Sequence, residues 1–219
     1  MKIKYGMILA AGLGKRMLPL TLNKPKSLLV IKNISLLERG INLLINCGVQ
    51  EISINVHYLA DQIQRFINEN KFNVKINISY ETELLLDTGG GVLAGTSNFN
   101  DEPFYVINPD TLWNKEYVKE IKNLEEIYFK YNKPSLLLVN RKLSLDNSFV
   151  GDFNLQKDII FKDKENQFIF TGLHITNRNY LRSEKSKVFS MNKIWNDLIK
   201  NKNLYGLESK KKFYQKNTF

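Results

Sequence analysis

The chain has 219 residues, 43% of them hydrophobic and 25% charged, which suits one sizeable α/β domain and excludes a disordered or fibrous polymer. No apolar run approaches the ~20 residues of a membrane-spanning helix, and the first residues lack a signal peptide's apolar core and cleavage site. A net charge of +10 admits nucleic acid, a membrane surface or small anionic substrates; the lysines are spread along the chain instead of gathered on one helix, which argues against nucleic acid.

Tyr5 to Leu9 predicts an apolar strand, and it runs into the small residues Ala10, Ala11, Gly12 and Gly14. Lys15, Arg16, Lys24 and Lys26 follow closely. Small residues let backbone N–H groups approach anionic oxygens, and the cations add charge-assisted hydrogen bonds, so the stretch predicts a nest for a polyphosphate. Two familiar phosphate loops do not fit it. No G-x-x-x-x-G-K-[ST] spacing follows Gly12, and the third glycine of a dinucleotide fingerprint is replaced by Met17.

Ser27 to Ile31 predicts a short extended segment, and Ser35 with Glu38 forms a capping box for a helix that Gly48 stops. The lone cysteine, Cys47, lies beside that stop; it predicts a packed thiol and a reducing, cytoplasmic setting. Glu51 to Val56 and Val74 to Tyr80 are predicted strands flanking a helix from Tyr58 to Asn68, an alternation that calls for a mainly parallel sheet covered on both faces. In such sheets ligands lie at the carboxyl ends of the strands. His57 sits at one such end, either as a ligand contact or as a hydrogen-bonded structural imidazole; no metal or catalytic set completes around it in the sequence.

Asp87-Thr-Gly-Gly-Gly-Val92 follows the third strand. Three consecutive glycines suit either a flat ligand lying on bare backbone or a closely packed helix entry. Phe104 to Ile107 is a predicted buried strand leading to Asn108-Pro-Asp110, where a carboxylate at the same sheet edge as the phosphate nest is placed to hold Mg²⁺. A helix over Tyr117 to Tyr131 and a strand over Ser135 to Asn140 come next. After these the pattern changes to short strands over Val150 to Leu155, Ile159 to Phe161 and Gln167 to Ile175, a meander separated by polar turns. His174 and Trp195 are expected to pack in the core, the latter on a final helix from Ser190 to Asn201. Lysines 210 to 212 predict a solvated tail.

The pattern G-x-G-x-R…P-K, at Gly12, Gly14, Arg16, Pro25 and Lys26, resembles the signature of the sugar-1-phosphate nucleotidyltransferases. LTLNKPK at 20–26, DTGGG at 87–91 and the GDF turn at 151–153 bring the chain nearest the short N-acetylmuramate-1-phosphate uridylyltransferases of that family. The resemblance implies a three-layer Rossmann-like, glycosyltransferase-A-like fold with a mixed, mainly parallel central sheet. It implies one domain over 1–219, with about 1–140 binding nucleotide and about 141–219 binding sugar. The hexapeptide repeats of an acetyltransferase domain are absent.

The implied reaction joins a sugar-1-phosphate to a nucleoside triphosphate with release of pyrophosphate. Arg16 would hold the pyrophosphate with help from Lys15, Lys26 would neutralise phosphate, and Asp110 would carry Mg²⁺. Ala10, Ala11, Gly12, Gly14, Glu81, Thr88, Gly89, Gly90 and Asn108 would surround the nucleotide, with the glycines against the base; Gly151, Asp152 and Gly172 would face the sugar. Neither nucleic acid nor membrane is an expected partner, and a monomer or homodimer is. Two departures stand out. Pro109-Asp110 replaces the family's G-D pair, and Gln215 falls where relatives place a second metal-binding aspartate. The second departure leaves open a nucleotide-binding homologue without turnover. Other substrate pairs, such as mannose-1-phosphate with GTP, glucose-1-phosphate with dTTP or phosphocholine with CTP, stay open as well.

Overall fold

The computed structural model describes residues 2–215. Strands β1 (Tyr5–Leu9), β2 (Val30–Ile31) and β3 (Ile34–Ser35) precede helix α1 (Leu36–Asn46), and β4 (Glu51–Val56), α2 (Ala60–Glu69), β5 (Lys75–Tyr80) and α3 (Asp87–Gly95) follow. Then come β6 (Phe104–Ile107), α4 (Tyr117–Tyr131), β7 (Ser135–Asn140), β8 (Asn154–Gln156), β9 (Ile159–Phe161), β10 (Phe168–Thr176), α5 (Met191–Lys200) and β11 (Tyr205–Ser209).

Nine strands form one sheet in the order β5-β4-β1-β6-β10-β7-β11-β9-β8. β5, β4, β1 and β6 run parallel, β10 pairs antiparallel with both β6 and β7, and β11 is parallel to β7. The sheet is therefore mixed and mainly parallel, as the alternation of strands and helices implies.

Period-two alternation assigns each strand residue to a layer. Ile8, Tyr105, Ile107 and Leu137 face α1, α2 and α4, while Met7, Phe104, Val106, Leu136 and Leu138 face α3 and α5. Central β1 (YGMIL) and β6 (FYVI) carry apolar and aromatic residues and one glycine, and a buried polar residue elsewhere in the sheet calls for a defined task. Asn55 at the end of β4 is such a residue, and it reappears in the site below. Ser35 caps α1 by accepting a hydrogen bond from the Glu38 N–H at 3.1 Å, and Ser190 caps α5 by accepting from Asn192 N–H at 3.2 Å.

Three segments differ from the sequence expectations, and a fourth decides between two of them. Residues 27–31 are a tight 3₁₀ turn (Lys26–Leu28) and one arm of the β2–β3 hairpin, because Pro25 starts the turn in place of an extended run. The Asp87–Gly95 segment takes the second of its two expected forms, a closely packed helix, in place of bare backbone under a flat ligand. β11 has no counterpart in the sequence expectations, since Gly206 and Glu208 break its apolar pattern. Gly206 is small because a Cβ there would lie 2.7 Å from Ile160 and 2.9 Å from the Leu136 carbonyl. Finally, the lysines at 210–212 are not a solvated tail: Lys210 N–H donates to Glu120 at 2.9 Å, Lys211 pairs with Glu116 at 3.3 Å, and the Lys212 carbonyl accepts from Tyr117 Oη. The acidic face of α4 recruits them.

Candidate active site

The carboxyl ends of β1, β4, β5 and β6 converge on two adjoining cavities of about 440 and 850 Å³. Leu9, Arg16, Asp87, Thr88 and Asn108 line both. The first cavity is walled by the loop from Ala10 to Met17, the second by β10, α5 and the segments that flank the β8–β9 hairpin, at Asp152, Phe153 and Lys162.

A buried polar chain shapes the first cavity. Ala10 N–H donates to Asn55 Oδ1 at 2.8 Å, Asn55 Nδ2 donates to Glu81 Oε1 at 2.7 Å, and Leu86 N–H donates to Glu81 Oε2 at 2.8 Å. One asparagine and one glutamate thus tie together the ends of three strands and the entry to α3. Gly91 packs on this pair, since a Cβ there would stand 2.7 Å from both side chains. His57 Nδ1 meets the Glu81 carbonyl at 2.5 Å, which settles it as a structural imidazole.

The nest itself rests on Gly14, whose φ of +65° opens the 3₁₀ turn Lys15–Met17. A Cβ there would also lie 2.9 Å from Thr21, whose hydroxyl donates to the Gly14 carbonyl. Gly12 is different: nothing lies within 4 Å of where its Cβ would be, so the protein's own packing does not restrict it. Lys15 and Arg16 line the cavity, and neither side chain has a hydrogen-bond or ion-pair partner among the described residues. Arg16 stands at the junction of the two cavities, the position from which one guanidinium reaches both.

Asp110 sits in the turn after β6. Asn108 N–H donates to the Gly172 carbonyl at 2.7 Å, Thr111 Oγ1 donates to the Thr171 carbonyl at 2.7 Å, and Trp113 Nε1 donates to the Asn108 carbonyl at 2.8 Å. The Asp110 carboxylate is claimed on both oxygens: Lys26 Nζ pairs with Oδ2 at 2.6 Å and Gln215 Nε2 donates to Oδ1 at 3.0 Å. Gln215 is held there by a bridge to Thr111 and by Leu112 N–H donating to the Tyr214 carbonyl.

The structure therefore gathers Ala10, Ala11, Gly12, Gly14, Lys15, Arg16, Lys26, Glu81, Thr88, Asn108 and Asp110 around one opening. Several roles are corrected. Gly89 and Gly90 do not line it. Their N–H groups donate to the Phe189 carbonyl at 2.8 and 3.1 Å, and a Cβ on Gly90 would lie 2.1 Å from the Lys187 carbonyl. They are small so that α3 can pack on the 187–189 strap, and no N–H is left for a base. Glu81 spends both oxygens on loop order. Thr88 Oγ1 accepts from Met191 N–H at 2.9 Å and so joins α3 to α5.

Of the residues expected at the sugar, Gly151 packs on the Asn166 carbonyl and Gly172 gives Asn108 room, a Cβ there meeting Asn108 Cβ at 3.0 Å. Gly172 also adopts φ +90° at the irregular pairing in β10 between Phe170 and His174. Asp152 does line the second cavity. Its Oδ2 accepts from Phe170 N–H at 2.9 Å, and burial raises its pKa against the pull of that bond and of Lys162.

Sequence reasoning missed Asn55, although an asparagine closing an apolar strand was a visible signal. It also missed the ligand-facing potential of His174 and Trp195, which are in the core as expected and line the second cavity too. Burial lowers the His174 pKa to about 3 and keeps the ring neutral.

No group of three or more His, Cys, Asp or Glu side chains forms a metal cluster among the described residues. Asp110 offers one hard oxygen donor at the cavity edge. Mg²⁺ commonly takes one or two carboxylates and draws its remaining ligands from phosphates and water, so this donor fits an ion that arrives with a polyphosphate.

A family model described as nucleotidyl transferase matches residues 5–143. The chain is similar to N-acetylmuramate alpha-1-phosphate uridylyltransferase of Caulobacter vibrioides, 28% identical over 89% of this chain and 84% of that protein. It is also similar to mannose-1-phosphate guanylyltransferase catalytic subunit beta of Drosophila melanogaster, 28% identical over 92% of this chain, of whose length it spans 56%. Among solved structures, the inositol-1-phosphate CTP transferase from T. maritima superposes with a TM-score of 0.80 at 14% identity, covering 100% of this chain and 91% of that one. That likeness establishes the shared fold.

Proposed function

The chain belongs to the nucleotidyl transferase family, and on that premise we propose that it joins N-acetylmuramate-1-phosphate to UTP, releasing pyrophosphate and forming a nucleotide-sugar. The position of Arg16 between the two cavities carries this reading: a triphosphate in the first and a sugar-1-phosphate in the second would meet at one guanidinium. Similarity to the Caulobacter uridylyltransferase over most of both chains supports the substrate pair.

In this reading a phosphate oxygen of the sugar-1-phosphate attacks the α-phosphorus in line. The new O–Pα bond forms as the Pα–O bond to the β-phosphate breaks, and pyrophosphate departs. No general base is needed, because the attacking phosphate is already anionic near neutral pH. Arg16 and Lys15 take up the growing charge on pyrophosphate, and the N–H groups of the Ala10–Gly14 nest orient the triphosphate. Lys26 neutralises the phosphate under attack. Asp110 is the residue that would hold Mg²⁺, whose charge would offset the repulsion among the phosphates. Residues from about 1–140 serve the nucleotide and those from about 141–219 the sugar.

The buried thiol of Cys47 suits a reducing cytoplasm, and no helix among the described residues is long and apolar enough to cross a membrane. The protein works alone or as a homodimer, with small-molecule partners only.

Pyrophosphate release measured with Mg²⁺ across the common nucleoside triphosphates and sugar-1-phosphates tests the reading. A strong preference for N-acetylmuramate-1-phosphate with UTP is expected; preference for another pair would reassign the substrates. Silence across the matrix, with a nucleotide still raising Tm, would favour a binding protein, and the Gln215–Asp110 contact would be the reason to seek first.

A further inference from the structure

Asp87 opens α3 as an exposed carboxylate that lines both cavities. Its φ of +60° lies in the left-handed region, which costs energy for a residue with a Cβ and is concentrated at functional sites. The side chain is held in place as well, because Thr88 N–H donates to Asp87 Oδ1 at 2.5 Å. No ion pair and no second hydrogen bond engages this carboxylate among the described residues, so Oδ2 has no partner from the protein.

The hydrogen bonds at the start of α3 also decide what cannot bind there. A helix N-terminus ordinarily offers free N–H groups to phosphate. Here Thr88 N–H is taken by Asp87, and Gly89 and Gly90 N–H are taken by the Phe189 carbonyl at 2.8 and 3.1 Å. A carboxylate in front of these engaged groups repels anions, which leaves the phosphates to the loop that carries Lys15 and Arg16.

Among the residues that line both cavities, Leu9 is apolar, Arg16 is cationic and the Thr88 hydroxyl already accepts from Met191 N–H. Asn108 can donate or accept; Asp87 alone is limited to accepting. Its complement is a group that donates hydrogen bonds and carries no negative charge. When the α-phosphate of a nucleoside triphosphate meets Arg16 where the cavities join, the ribose is one ester linkage away and carries two adjacent hydroxyls. The nucleobase lies one bond further from that junction. Acidic side chains accept from ribose hydroxyls in dinucleotide-binding folds for the same chemical reason.

Resting on the transferase reading above, we propose that Asp87 is a specificity-determining residue that accepts hydrogen bonds from the ribose hydroxyls of the nucleotide and so selects against nucleotides that lack them.

The test compares the nucleoside triphosphate that the wild-type protein prefers with its dideoxy counterpart, which lacks both ribose hydroxyls. The readout is the ratio of kcat/KM for the two in wild type, Asp87→Gly and Asp87→Asn, with a saturating sugar-1-phosphate. Glycine adopts the left-handed conformation without strain and removes only the carboxylate, and asparagine tolerates the same backbone while keeping a polar head. The wild type should prefer the ribose form by about tenfold or more, as a site built to bond a hydroxyl does, and Asp87→Gly should bring the ratio toward one. Asp87→Asn should retain part of the preference. Activity lowered on both nucleotides alike, with the ratio where it was, would show that Asp87 only shapes α3 and overturns the inference. An unchanged ratio with a raised KM for the sugar-1-phosphate gives the carboxylate to the sugar and overturns it too. Thermal melts check that each variant is folded; if Asp87→Gly is not, Asp87→Asn decides by the same ratio. Wild-type turnover with no preference for the ribose form sinks the inference and leaves the transferase reading standing, whereas wild-type silence with every triphosphate sinks both.

Discussion

Lys26 Nζ lies 2.6 Å from Asp110 Oδ2, an ion pair with side chains only 18% and 16% exposed, across 84 residues of sequence. It joins the end of the glycine-rich loop to the end of β6, so the cation assigned to phosphate and the carboxylate assigned to metal hold each other in place. A substrate polyphosphate and its cation would exchange this internal pair for two external ones.

Removing either partner should therefore lose both charge stabilisation and order. Lys26→Ala and Asp110→Ala are each expected to lower kcat by about a hundredfold or more, a loss typical of a missing charge-stabilising group. Pyrophosphate release on folded protein, verified by circular dichroism, measures this. Activity near that of wild type in either variant would remove that residue from its assigned role.

Gln215 donates to Asp110 where a second carboxylate would repel it. Gln215→Asp should thus raise affinity for divalent cations in the absence of nucleotide, because hard cations prefer charged oxygens. Mn²⁺ titration followed by electron paramagnetic resonance reports this without any turnover; unchanged affinity would mean that position 215 does not face the ion.

Gly90 is expected to resist substitution for a reason unrelated to ligand. An added Cβ would lie 2.1 Å from the Lys187 carbonyl, so α3 or the 187–189 strap must shift. Gly90→Ala should destabilise by about 1–3 kcal/mol, the range for overpacking. Urea unfolding gives the value, and an unchanged midpoint would contradict the close approach.

The buried imidazole should make stability depend on acidity. Burial lowers the His174 pKa to about 3, whereas the unfolded chain protonates it near 6.5. Between these values the unfolded state binds more protons, so the contribution is complete above about pH 6.5 and is lost progressively as pH falls toward 3. At pH 5 the loss attributable to this group is about 2 kcal/mol. His174→Phe should flatten the unfolding free energy between pH 7 and 5 relative to wild type; parallel curves would show that the ring is not buried neutral.

Much of the fold was legible because its signals are local. The Ser35 cap, the strand over 51–56 and the helix over 117–131 follow from neighbouring residues alone, and they appear where expected. β11 was not legible. Its order comes from a parallel pairing with β7 and from the space Gly206 leaves for Ile160, neither of which is written nearby in the chain. The glycines at 89–91 left two readings open for the same reason: they show only that side chains are absent, and packing on Phe189 and Lys187 as well as contact with a base would require that absence.

The sequence by itself determined the alternation of elements, the phosphate nest and the family, because periodicity, capping and motif spacing are properties of adjacent residues. Tertiary structure alone decided that Lys26 meets Asp110, that Glu81 and Asn55 brace the loop, and that His174 and Trp195 share a cavity wall. These depend on which strands lie side by side in the order β5-β4-β1-β6-β10-β7-β11-β9-β8. That order is fixed by burying both faces of the sheet at once, an energy of the whole molecule rather than of any one stretch.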